Sequence, residues 1–373
     1  MIKRIHSKNL SERFFSEKAI ILLGARQTGK TTLVRHLVDK AGKQAIYINC
    51  DEPGTQSVME NISTEKWKQI IGNSKIVVID EAQRIRDIGI KLKLAIDNIK
   101  GIQFIITGSS SLDLANVINE PLTGRKWEYY LYPISWGELK EYYDYITRQQ
   151  QLETRLIYGM YPDVIMNPGN EVEILNNLAG SYLYKDILSF GGIRKPEILH
   201  SMLRALALQV SNEVSYNELS RLLGIDKNTV MNYISLLEKA FIIFRLQPLS
   251  RNLRKEITTN RKVYFWDNGI RNSLISNYNS LNQRNDTGAL WENFLVSERL
   301  KSNHYNKHFI NSFFWRTTDG KEIDLVEESG GKYNAFEFKW SEKKNTKIPQ
   351  LFLSAYPTGE TGTVNKENFE NFI

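Results

Sequence analysis

The sequence has one cysteine, no long apolar run and no histidine pair with metal-ligand spacing on a predicted helix, since His304 and His308 are expected in a loop, and each absence narrows what the protein can be. Because Cys50 is the single cysteine among 373 residues, an internal disulfide and a cysteine-based zinc module are both excluded. No apolar run approaches the roughly 18 residues of a membrane span, and the first residues lack the apolar core of a signal peptide. We therefore expect a cytoplasmic protein that has no membrane partner and is stabilised by packing.

What is present is the composition of a folded protein with a mild basic excess. Hydrophobic residues make up 41% of the chain and charged residues 24%, which is typical of globular domains. At roughly 100 to 200 residues per domain, the length predicts two to four domains. The net charge of +7 permits nucleic-acid binding without requiring it. This excess is densest between Arg245 and Arg271, where seven basic residues accompany two acidic ones.

A phosphate-binding loop is predicted near the start of the chain. The apolar run AIILL leads directly into GARQTGKTT and then into a helical pattern, so the order is strand, loop, helix. The loop satisfies G-x-x-x-x-G-K-[ST], in which backbone N–H groups wrap the phosphates of a nucleotide. Lys30 would reach the β- and γ-phosphates, and the Thr31 hydroxyl would bind Mg²⁺. The residues expected to contact ATP here are Gly24, Ala25, Arg26, Gln27, Thr28, Gly29, Lys30, Thr31 and Thr32.

A second motif predicts hydrolysis of the bound ATP. The run KIVVID reads as a buried strand that ends in Asp80 and is followed by Glu81. This placement suits an aspartate that holds Mg²⁺ and a catalytic carboxylate that polarises the attacking water. Two solvated acids at a strand end are the alternative, which the neighbouring phosphate loop disfavours.

Further candidates follow the next apolar strand. Thr107 or Ser109 would sense the γ-phosphate, or would only cap the strand. A sheet in which a strand is inserted between the two nucleotide motifs in sequence order is the pattern of additional-strand phosphate-loop enzymes. Arg125 would place its guanidinium on the transferring phosphoryl group, in cis or from a neighbouring subunit of an oligomer. A surface arginine paired with a carboxylate is the alternative for Arg125.

A helix-turn-helix is predicted in the middle of the chain. Ser215 and Glu218 have capping-box spacing at the start of one helix, which Gly224 ends. The next helix carries an apolar stripe formed by Val230, Ile234, Leu237 and Ala240. Strand-like segments flank the basic cluster, so the pattern favours a winged helix that reads a groove and holds phosphates. The residues expected to contact nucleic acid, with DNA favoured over RNA, are Lys227, Asn228, Arg251, Arg254, Lys255, Arg261 and Lys262. A winged helix used only for packing is the alternative.

The last segment contains two strand-like runs joined by Gly330 and Gly331, the residue types of a two-residue hairpin turn. Pairing the strands symmetrically about these glycines places Asp324 opposite Glu337. Like charges about 5 Å apart are unfavourable unless a cation lies between them, which indicates a metal site. Lys339 would orient an attacking water, and Glu292 on the preceding helix would complete the oxygen ligands of Mg²⁺. A solvated hairpin face is the alternative.

Together, GARQTGKTT, IVVIDEAQ, FIITGSSS, LTGR and YPISWGEL resemble the bacterial and archaeal AAA-type ATPases whose C-terminal half is a winged helix followed by a restriction-nuclease-like domain. The resemblance implies an α/β fold with an AAA-type ATPase domain at 1–150, a helical lid and winged helix at 151–280, and a PD-(D/E)xK nuclease-like domain at 285–373. In that nuclease motif the metal ligands correspond to Asp324 and Glu337 and the catalytic lysine to Lys339. One departure is that Gly159, Met160 and Tyr161 precede Pro162, where the family usually has a doubled glycine.

These observations predict an ATPase that uses Mg²⁺ and is coupled to a nucleic-acid-directed C-terminal half. Two alternatives stay open. One is a nucleotide-switched protein that binds DNA or another protein and has a silent nuclease-like domain, and the other is an ATP-licensed nuclease.

Overall fold

A computed structural model describes residues 2–109, 120–182, 196–250, 260–341 and 346–373. The chain forms two compact units. The first is built from Met1–Pro133 with Lys239–Phe241, and the second from the described remainder of the chain. Among the described helices, none is both long enough and apolar enough to cross a membrane.

The first unit is a parallel sheet with helices. Its strand order is β2-β3-β4-β1-β5, so β4 lies between the strand before the phosphate loop and the strand that ends in Asp80. The strands are β1 (Ala19–Leu23), β2 (Ala45–Asn49), β3 (Ile76–Asp80), β4 (Gln103–Gly108) and β5 (Lys126–Tyr130). The helices are α1 (His6–Ser11), α2 (Lys30–Ala41), α3 (Pro53–Glu60), α4 (Thr64–Ile71) and α5 (Ile88–Asn98).

The predicted buried strands of the first unit are confirmed, because almost every residue of β1, β3 and β4 is buried and most of these residues are apolar. One core cluster packs Leu33 and Leu37 of α2 against Ile20 and Leu22 of β1 and Val78 of β3. This packing fixes α2 against the sheet, so the loop between β1 and α2 has a defined position at the carboxyl edge of the strands.

The second unit combines many short helices with one mixed sheet. Its strand order is β12-β11-β10-β9-β7-β8-β6. The strands are β6 (Glu213–Val214), β7 (Ile243–Pro248), β8 (Arg261–Phe265), β9 (Asn311–Arg316), β10 (Glu322–Ser329), β11 (Lys332–Phe338) and β12 (Thr358–Val364). The pairing of β7 with β9 is parallel and joins the strands of the middle segment to those of the last segment. The two segments therefore share one sheet.

The helices of the second unit include the predicted helix-turn-helix. Gly224 ends the first of these helices with a φ of 64°, and the Ser215 hydroxyl accepts a hydrogen bond from the Glu218 N–H at the helix start. The described helices are α6 (Trp136–Tyr142), α7 (Tyr145–Tyr158), α8 (Pro162–Met166), α9 (Glu171–Asn177), α10 (Pro196–Leu208), α11 (Tyr216–Leu223), α12 (Lys227–Lys239), α13 (Asn268–Leu274), α14 (Thr287–Tyr305), α15 (Gln350–Ala355) and α16 (Phe369–Phe372). The predicted apolar stripe of α12 is confirmed, since all four of its residues are buried.

The hairpin register predicted from the glycine pair is confirmed. Leu325 pairs with Phe336 and Ser329 with Lys332, which places Gly330 and Gly331 at the two turn positions. Their φ angles of 58° and 78° are the left-handed values that such a turn requires.

Candidate functional site

The loop between β1 and α2 is shaped by two glycines. A Cβ atom on Gly24 would lie 2.0 Å from the carbonyl oxygen of Leu131. Only glycine therefore fits here, where the chain after β1 approaches the chain after β5. Gly29 caps α2 with a φ of 92°, a conformation that other residues rarely adopt. The N–H groups of the first turn of α2 thus face the loop, where a helix N-terminus favours anions.

Two side chains stabilise this loop from within. The ammonium of Lys30 donates hydrogen bonds to the carbonyl oxygens of Gly24 (2.8 Å) and Ala25 (2.9 Å), and the lysine is buried. The Thr28 hydroxyl donates to the Ala25 carbonyl at 2.9 Å. The Gly24 and Ala25 carbonyl oxygens are therefore held around the lysine ammonium by three hydrogen bonds.

Arg4 also contributes to the loop, and the sequence analysis missed it. Its guanidinium donates to the carbonyl oxygens of Thr28 and Tyr132, both at 2.6 Å, although Arg4 lies far from both in sequence. The side chain is buried, and its contacts tie the phosphate loop to the segment that follows β5. No local motif signals such a contact, because it depends on how the strands come together.

Asp80 connects the loop to the neighbouring strand. Its two carboxylate oxygens accept hydrogen bonds from different hydroxyls, Oδ2 from Thr31 at 2.9 Å and Oδ1 from Thr107. Thr31 is on α2 and Thr107 is on β4, so the structure brings these three predicted residues together at one edge of the sheet. The arrangement places oxygen ligands beside the phosphate loop.

Glu81 lies next to Asp80 in a left-handed backbone conformation with a φ of 53°. Such conformations are uncommon for non-glycine residues and cluster at functional sites. The amide nitrogen of Gln83 donates to Glu81 Oε2 (2.5 Å) and to the Ser109 hydroxyl (3.0 Å). Gln83 thereby links the predicted catalytic carboxylate to a predicted sensor residue. Its position two residues after Glu81 is the only sequence signal that could have identified it.

Cys50 is close to these residues but has no chemical role there. Its backbone N–H donates to the carbonyl oxygen of Asp80 at 3.0 Å, and its side chain is fully buried. Burial and the nearby charge of Asp80 raise the pKa of the Cys50 thiol to about 12. The thiol therefore stays protonated and unreactive at neutral pH.

Arg125 lies at the opposite edge of the sheet from the phosphate loop. Its carbonyl oxygen accepts from the N–H of Ala19, the first residue of β1, whereas the loop follows the last. At about 3.3 Å per residue the two edges are roughly 16 to 20 Å apart. The Arg125 guanidinium pairs with Asp97 at 2.6 Å on the surface. The predicted role of Arg125 in cis is therefore wrong, because the side chain is too short, and only a neighbouring subunit could bring it to a phosphate.

Three basic residues of the middle segment's cluster, among those that the structure describes, are paired with acids. Arg245 is bound by Glu238 and the Tyr216 hydroxyl, and Arg271 is bound by Asp286. The prediction that Lys262 lies on a wing that holds phosphates is wrong, because only 3% of its side chain is exposed. The count of basic residues between Arg245 and Arg271 wrongly suggested an exposed basic surface, because a count cannot distinguish a solvated cation from a buried ion pair.

The other predicted nucleic-acid contacts differ in how much the structure says of them. Lys227 and Asn228 are exposed at the start of α12, and Arg261 is partly buried at the start of β8. Arg251, Arg254 and Lys255 lie outside the described residues. Among the described candidates, Lys227 is the one exposed cation.

A carboxylate cluster forms around the hairpin of β10 and β11. Asp324 Oδ2 accepts the N–H of Phe338 at 2.7 Å, and the Lys339 ammonium lies 2.8 Å from Glu337 Oε2 and 3.9 Å from Asp324 Oδ2. The structure thus brings together the predicted residues Asp324, Glu337 and Lys339. Burial raises the pKa values of both Asp324 and Glu337, and the charge of Asp324 raises that of Glu337 further.

Glu292 has different partners from those predicted. Its Oε1 accepts from the ammonium of Lys262 at 2.9 Å and from the hydroxyl of Tyr264 at 2.7 Å. The same ammonium pairs with Glu322 Oε1. Burial raises the pKa of Glu292 to about 7, although the Lys262 charge opposes this shift. Burial would lower the pKa of Lys262, but the charges of Glu292, Asp324 and Glu322 outweigh burial and raise it.

Among the predicted Mg²⁺ ligands of this cluster, Glu292 contacts Lys262 and Tyr264, whereas Asp324 and Glu337 both lie near the Lys339 ammonium. Where side chains are described, no three of the histidine, cysteine, aspartate and glutamate type come together in a group that could hold a metal ion. Lys262 contacts the carboxylate of Glu292 directly. The spacing of these two residues in the sequence did not indicate this contact.

Comparison with known proteins supports the nucleotide site at the phosphate loop. Residues 16–140 match the AAA domain family, and residues 149–281 and 287–370 match two domains of unknown function, DUF8612 and DUF4143. An uncharacterized protein of Mycobacterium tuberculosis is 29% identical over 331 residues, covering 86% of this chain and 70% of the relative. An uncharacterized protein of Haemophilus influenzae is 26% identical over 331 residues, covering 82% and 78%.

Two solved structures overlap the chain only loosely. A RuvB mutant of Thermotoga maritima is 18% identical with a TM-score of 0.32, covering 65% of this chain and 89% of that chain. A Pif1 helicase from Candida albicans is 15% identical with a TM-score of 0.27, covering 48% of each chain. The AAA domain match is therefore the informative one, and it spans the segment that carries the phosphate loop, Asp80 and Glu81.

Proposed function

We propose that this protein is an ATPase of the AAA type. The observation that carries the proposal is the position of Asp80, which is hydrogen-bonded to Thr31 beside the phosphate loop and to Thr107 on the neighbouring strand. This set lies at the carboxyl edge of a parallel sheet, where α/β proteins bind their ligands. The AAA domain match over residues 16–140 supports the same proposal.

In this proposal the phosphate loop holds the nucleotide through its backbone. The residues that contact ATP are Gly24, Ala25, Arg26, Gln27, Thr28, Gly29, Lys30, Thr31 and Thr32. Lys30 exchanges its present hydrogen bonds to the Gly24 and Ala25 carbonyls for contacts with the β- and γ-phosphates. Because the N–H groups of the first turn of α2 already face the loop, binding requires Lys30 to change its hydrogen-bond partners and little other reorganisation.

The residues around Asp80 fit a Mg²⁺ ion that accompanies the nucleotide. The Thr31 hydroxyl oxygen and the Asp80 carboxylate oxygen lie 2.9 Å apart, and both are ligand types that Mg²⁺ accepts. When bound, Mg²⁺ neutralises charge on the phosphates. Thr107 holds the second oxygen of Asp80 and thereby orients this carboxylate.

Glu81 polarises the attacking water in the proposed reaction. Its carboxylate is held by the Gln83 amide, which also contacts Ser109, so its orientation is fixed from the protein side. Polarising a water oriented toward the γ-phosphate is how a carboxylate at this position promotes hydrolysis. Ser109 then reports the presence of the γ-phosphate through its contact with Gln83.

The test separates binding from hydrolysis. Lys30→Ala should abolish ATP binding measured by isothermal titration calorimetry, whereas Glu81→Gln should retain binding and lose phosphate release. Lys40→Ala is the matched control, because this exposed lysine lies in the last turn of α2, away from the loop, and should change neither quantity. Unchanged ATP affinity in Lys30→Ala, or wild-type turnover in Glu81→Gln, would refute the proposal.

For the C-terminal half we propose a helical lid and winged helix at 151–280 and a nuclease-like fold at 285–373. The order α10, β6, α11, α12, β7, β8 is that of a winged helix and supports the first assignment. A long helix followed by the β9, β10 and β11 strands, with Asp324 and Glu337 on the hairpin, supports the second. These boundaries agree with the segments matched at 149–281 and 287–370.

Nucleic acid is the proposed partner of the winged helix, with contacts from Lys227, Asn228 and the basic residues between β7 and β8. Fluorescence anisotropy with a duplex DNA should show binding that weakens with salt, and Lys227→Ala should reduce the salt slope by about one. Met231→Ala is the control, because Met231 is uncharged and exposed on the same helix as Lys227. Glu238→Gln would not serve, because it breaks the ion pair with Arg245. Binding that is insensitive to salt and to Lys227→Ala would refute this contact.

A nucleotide-switched protein with a silent nuclease-like domain is the second candidate function. The observation that favours it is the buried Lys262, which occupies the carboxylate cluster of the nuclease-like segment. In that case ATP would set the arrangement of the C-terminal half, and no nucleic acid would be cleaved under any metal condition.

A further inference from the structure

Lys262 is a buried cation surrounded by acids. Its side chain is 3% exposed, and its ammonium lies 2.9 Å from Glu292 Oε1 and in contact with Glu322 Oε1. Phe314 presents its ring on another side, 5.6 Å from the ammonium nitrogen. A lysine is almost never fully buried unless its charge is paired, so these contacts define what the residue does.

Three different elements meet at this ammonium. Lys262 is on β8, Glu292 is on α14, and Glu322 is on β10. The strand that carries the lysine belongs to the segment matched at 149–281, whereas both acids belong to the segment matched at 287–370. The cation therefore comes from the preceding segment and enters the cluster of the last one.

The carboxylates of the cluster already have donors. Glu292 receives hydrogen bonds from Lys262 and Tyr264, Asp324 receives the Phe338 N–H, and Glu337 receives the Lys339 ammonium. Each contact occupies one of the roughly four lone-pair sites of its carboxylate, and two of the donors are ammonium groups whose charge opposes a divalent cation. The ammonium groups of Lys262 and Lys339 supply positive charge that offsets the repulsion between the carboxylates.

We propose that Lys262 is the resident cation of this cluster, held between Glu292 and Glu322 and therefore bound to one of the carboxylates predicted to hold Mg²⁺; the inference rests on the nuclease-like fold proposed above. The carboxylate cluster is then a self-neutralised structural site, and the nuclease-like segment is not a Mg²⁺-dependent nuclease. This inference is independent of the proposed ATPase activity, because it concerns residues of the second unit alone.

The test is a Mn²⁺ titration of the full chain without nucleotide, followed by electron paramagnetic resonance of free Mn²⁺. An Asp80→Asn background removes the ion ligand proposed for the nucleotide site. In this background we expect no stoichiometric Mn²⁺ binding. Adding Lys262→Met, which keeps the side-chain volume and removes the charge, should strengthen Mn²⁺ binding at least about tenfold, because an opposing charge a few ångström away is lost. Adding Glu292→Gln as well should abolish the gain.

Lys339→Met is the matched control, since it removes the other ammonium of the cluster but leaves the contacts of Lys262. An equal gain of Mn²⁺ affinity in Lys339→Met would overturn the assignment of the cation position to Lys262. A folded Lys262→Met protein with no gain would also overturn it. If Lys262→Met does not fold, the Asp80→Asn protein with Lys262 intact still tests the proposal. Stoichiometric Mn²⁺ binding by this protein that Glu292→Gln abolishes would show that the lysine does not exclude the metal.

Discussion

Replacing Gln83 by leucine tests how the candidate catalytic carboxylate is positioned. The substitution removes the amide that lies 2.5 Å from Glu81 Oε2 and 3.0 Å from Ser109 Oγ, and it keeps a similar volume. A hydrogen bond to an ionised group contributes about 1.5 to 3 kcal/mol, and about 1.4 kcal/mol changes a rate tenfold. If the full contribution is expressed in the transition state, Gln83→Leu lowers kcat roughly 10- to 160-fold.

The assay is steady-state phosphate release at saturating ATP, with ATP affinity measured separately by calorimetry. Because no hydrogen bond joins Gln83 to the described part of the phosphate loop, ATP affinity should stay within about twofold of wild type, as expected for an interaction made in the transition state. Ser109→Ala is the matched control. It removes only the neutral contact to Gln83, which is worth about 0.5 to 1.5 kcal/mol, so kcat should fall roughly 2- to 13-fold.

Three results would refute the reasoning. A kcat within twofold of wild type would mean that Gln83 does not position Glu81. A rise in kcat would mean that the amide restrains the carboxylate in an unproductive orientation. A loss of turnover that follows a loss of ATP affinity would place Gln83 in nucleotide binding.

The remaining predictions concern the loop, the second unit and Arg125. Gly24→Ala forces a Cβ atom to within 2.0 Å of a backbone oxygen, so urea denaturation should show a loss of about 1 to 3 kcal/mol or more. Gly42→Ala, where a Cβ meets no atom within 4 Å but φ is 60°, should cost only about 1 kcal/mol; equal losses would contradict the steric argument. Burial disfavours the charge of Asp286, but Arg284 and Arg271 outweigh it and lower the pKa of Asp286 from 3.8 to about 2. The ionised carboxylate therefore stabilises the fold above about pH 4 and this contribution is lost as the pH falls through 2, so Asp286→Asn should cost roughly 2 kcal/mol at pH 7 and less than about 0.5 kcal/mol at pH 2. A cost that does not depend on pH would exclude this ion pair as its source. Arg125→Ala should leave the ATP dissociation constant within about twofold in calorimetry, because the side chain lies at the far edge of the sheet; a tenfold loss would contradict that placement.

The phosphate loop and its partners could be predicted because their signals are local. The glycine and lysine spacing fixes how the chain turns from β1 into α2, and the apolar runs before Asp80 and Thr107 fix where those strands end. Parallel strands bring their carboxyl ends to one edge, so the meeting of Asp80 with Thr107 follows from strand direction alone. The hairpin register followed in the same way, because two glycines define a turn and a strand has a period of two.

The charges could not be predicted in the same way. Arg245, Lys262 and Arg271 look like a basic surface in the sequence, yet each is paired with an acid that is 7 to 60 residues away along the chain. Whether a lysine is solvated or buried depends on which strands become neighbours. Here the parallel pairing of β7 with β9 joins the middle and last segments into one sheet, and β8, the neighbour of β7, carries Lys262 to the carboxylates.

The sequence alone determined the parallel strands, the phosphate loop, the acidic pair after β3 and the helix-turn-helix, since each depends on residues within about twenty positions of one another. Only the tertiary structure decided which distant side chains meet. It placed Arg4 against the phosphate loop, separated Arg125 from that loop by the length of the sheet, and filled the carboxylate cluster with Lys262. The physical reason is that backbone conformation responds to local sterics and periodicity, whereas the pairing and burial of charges depend on long-range packing.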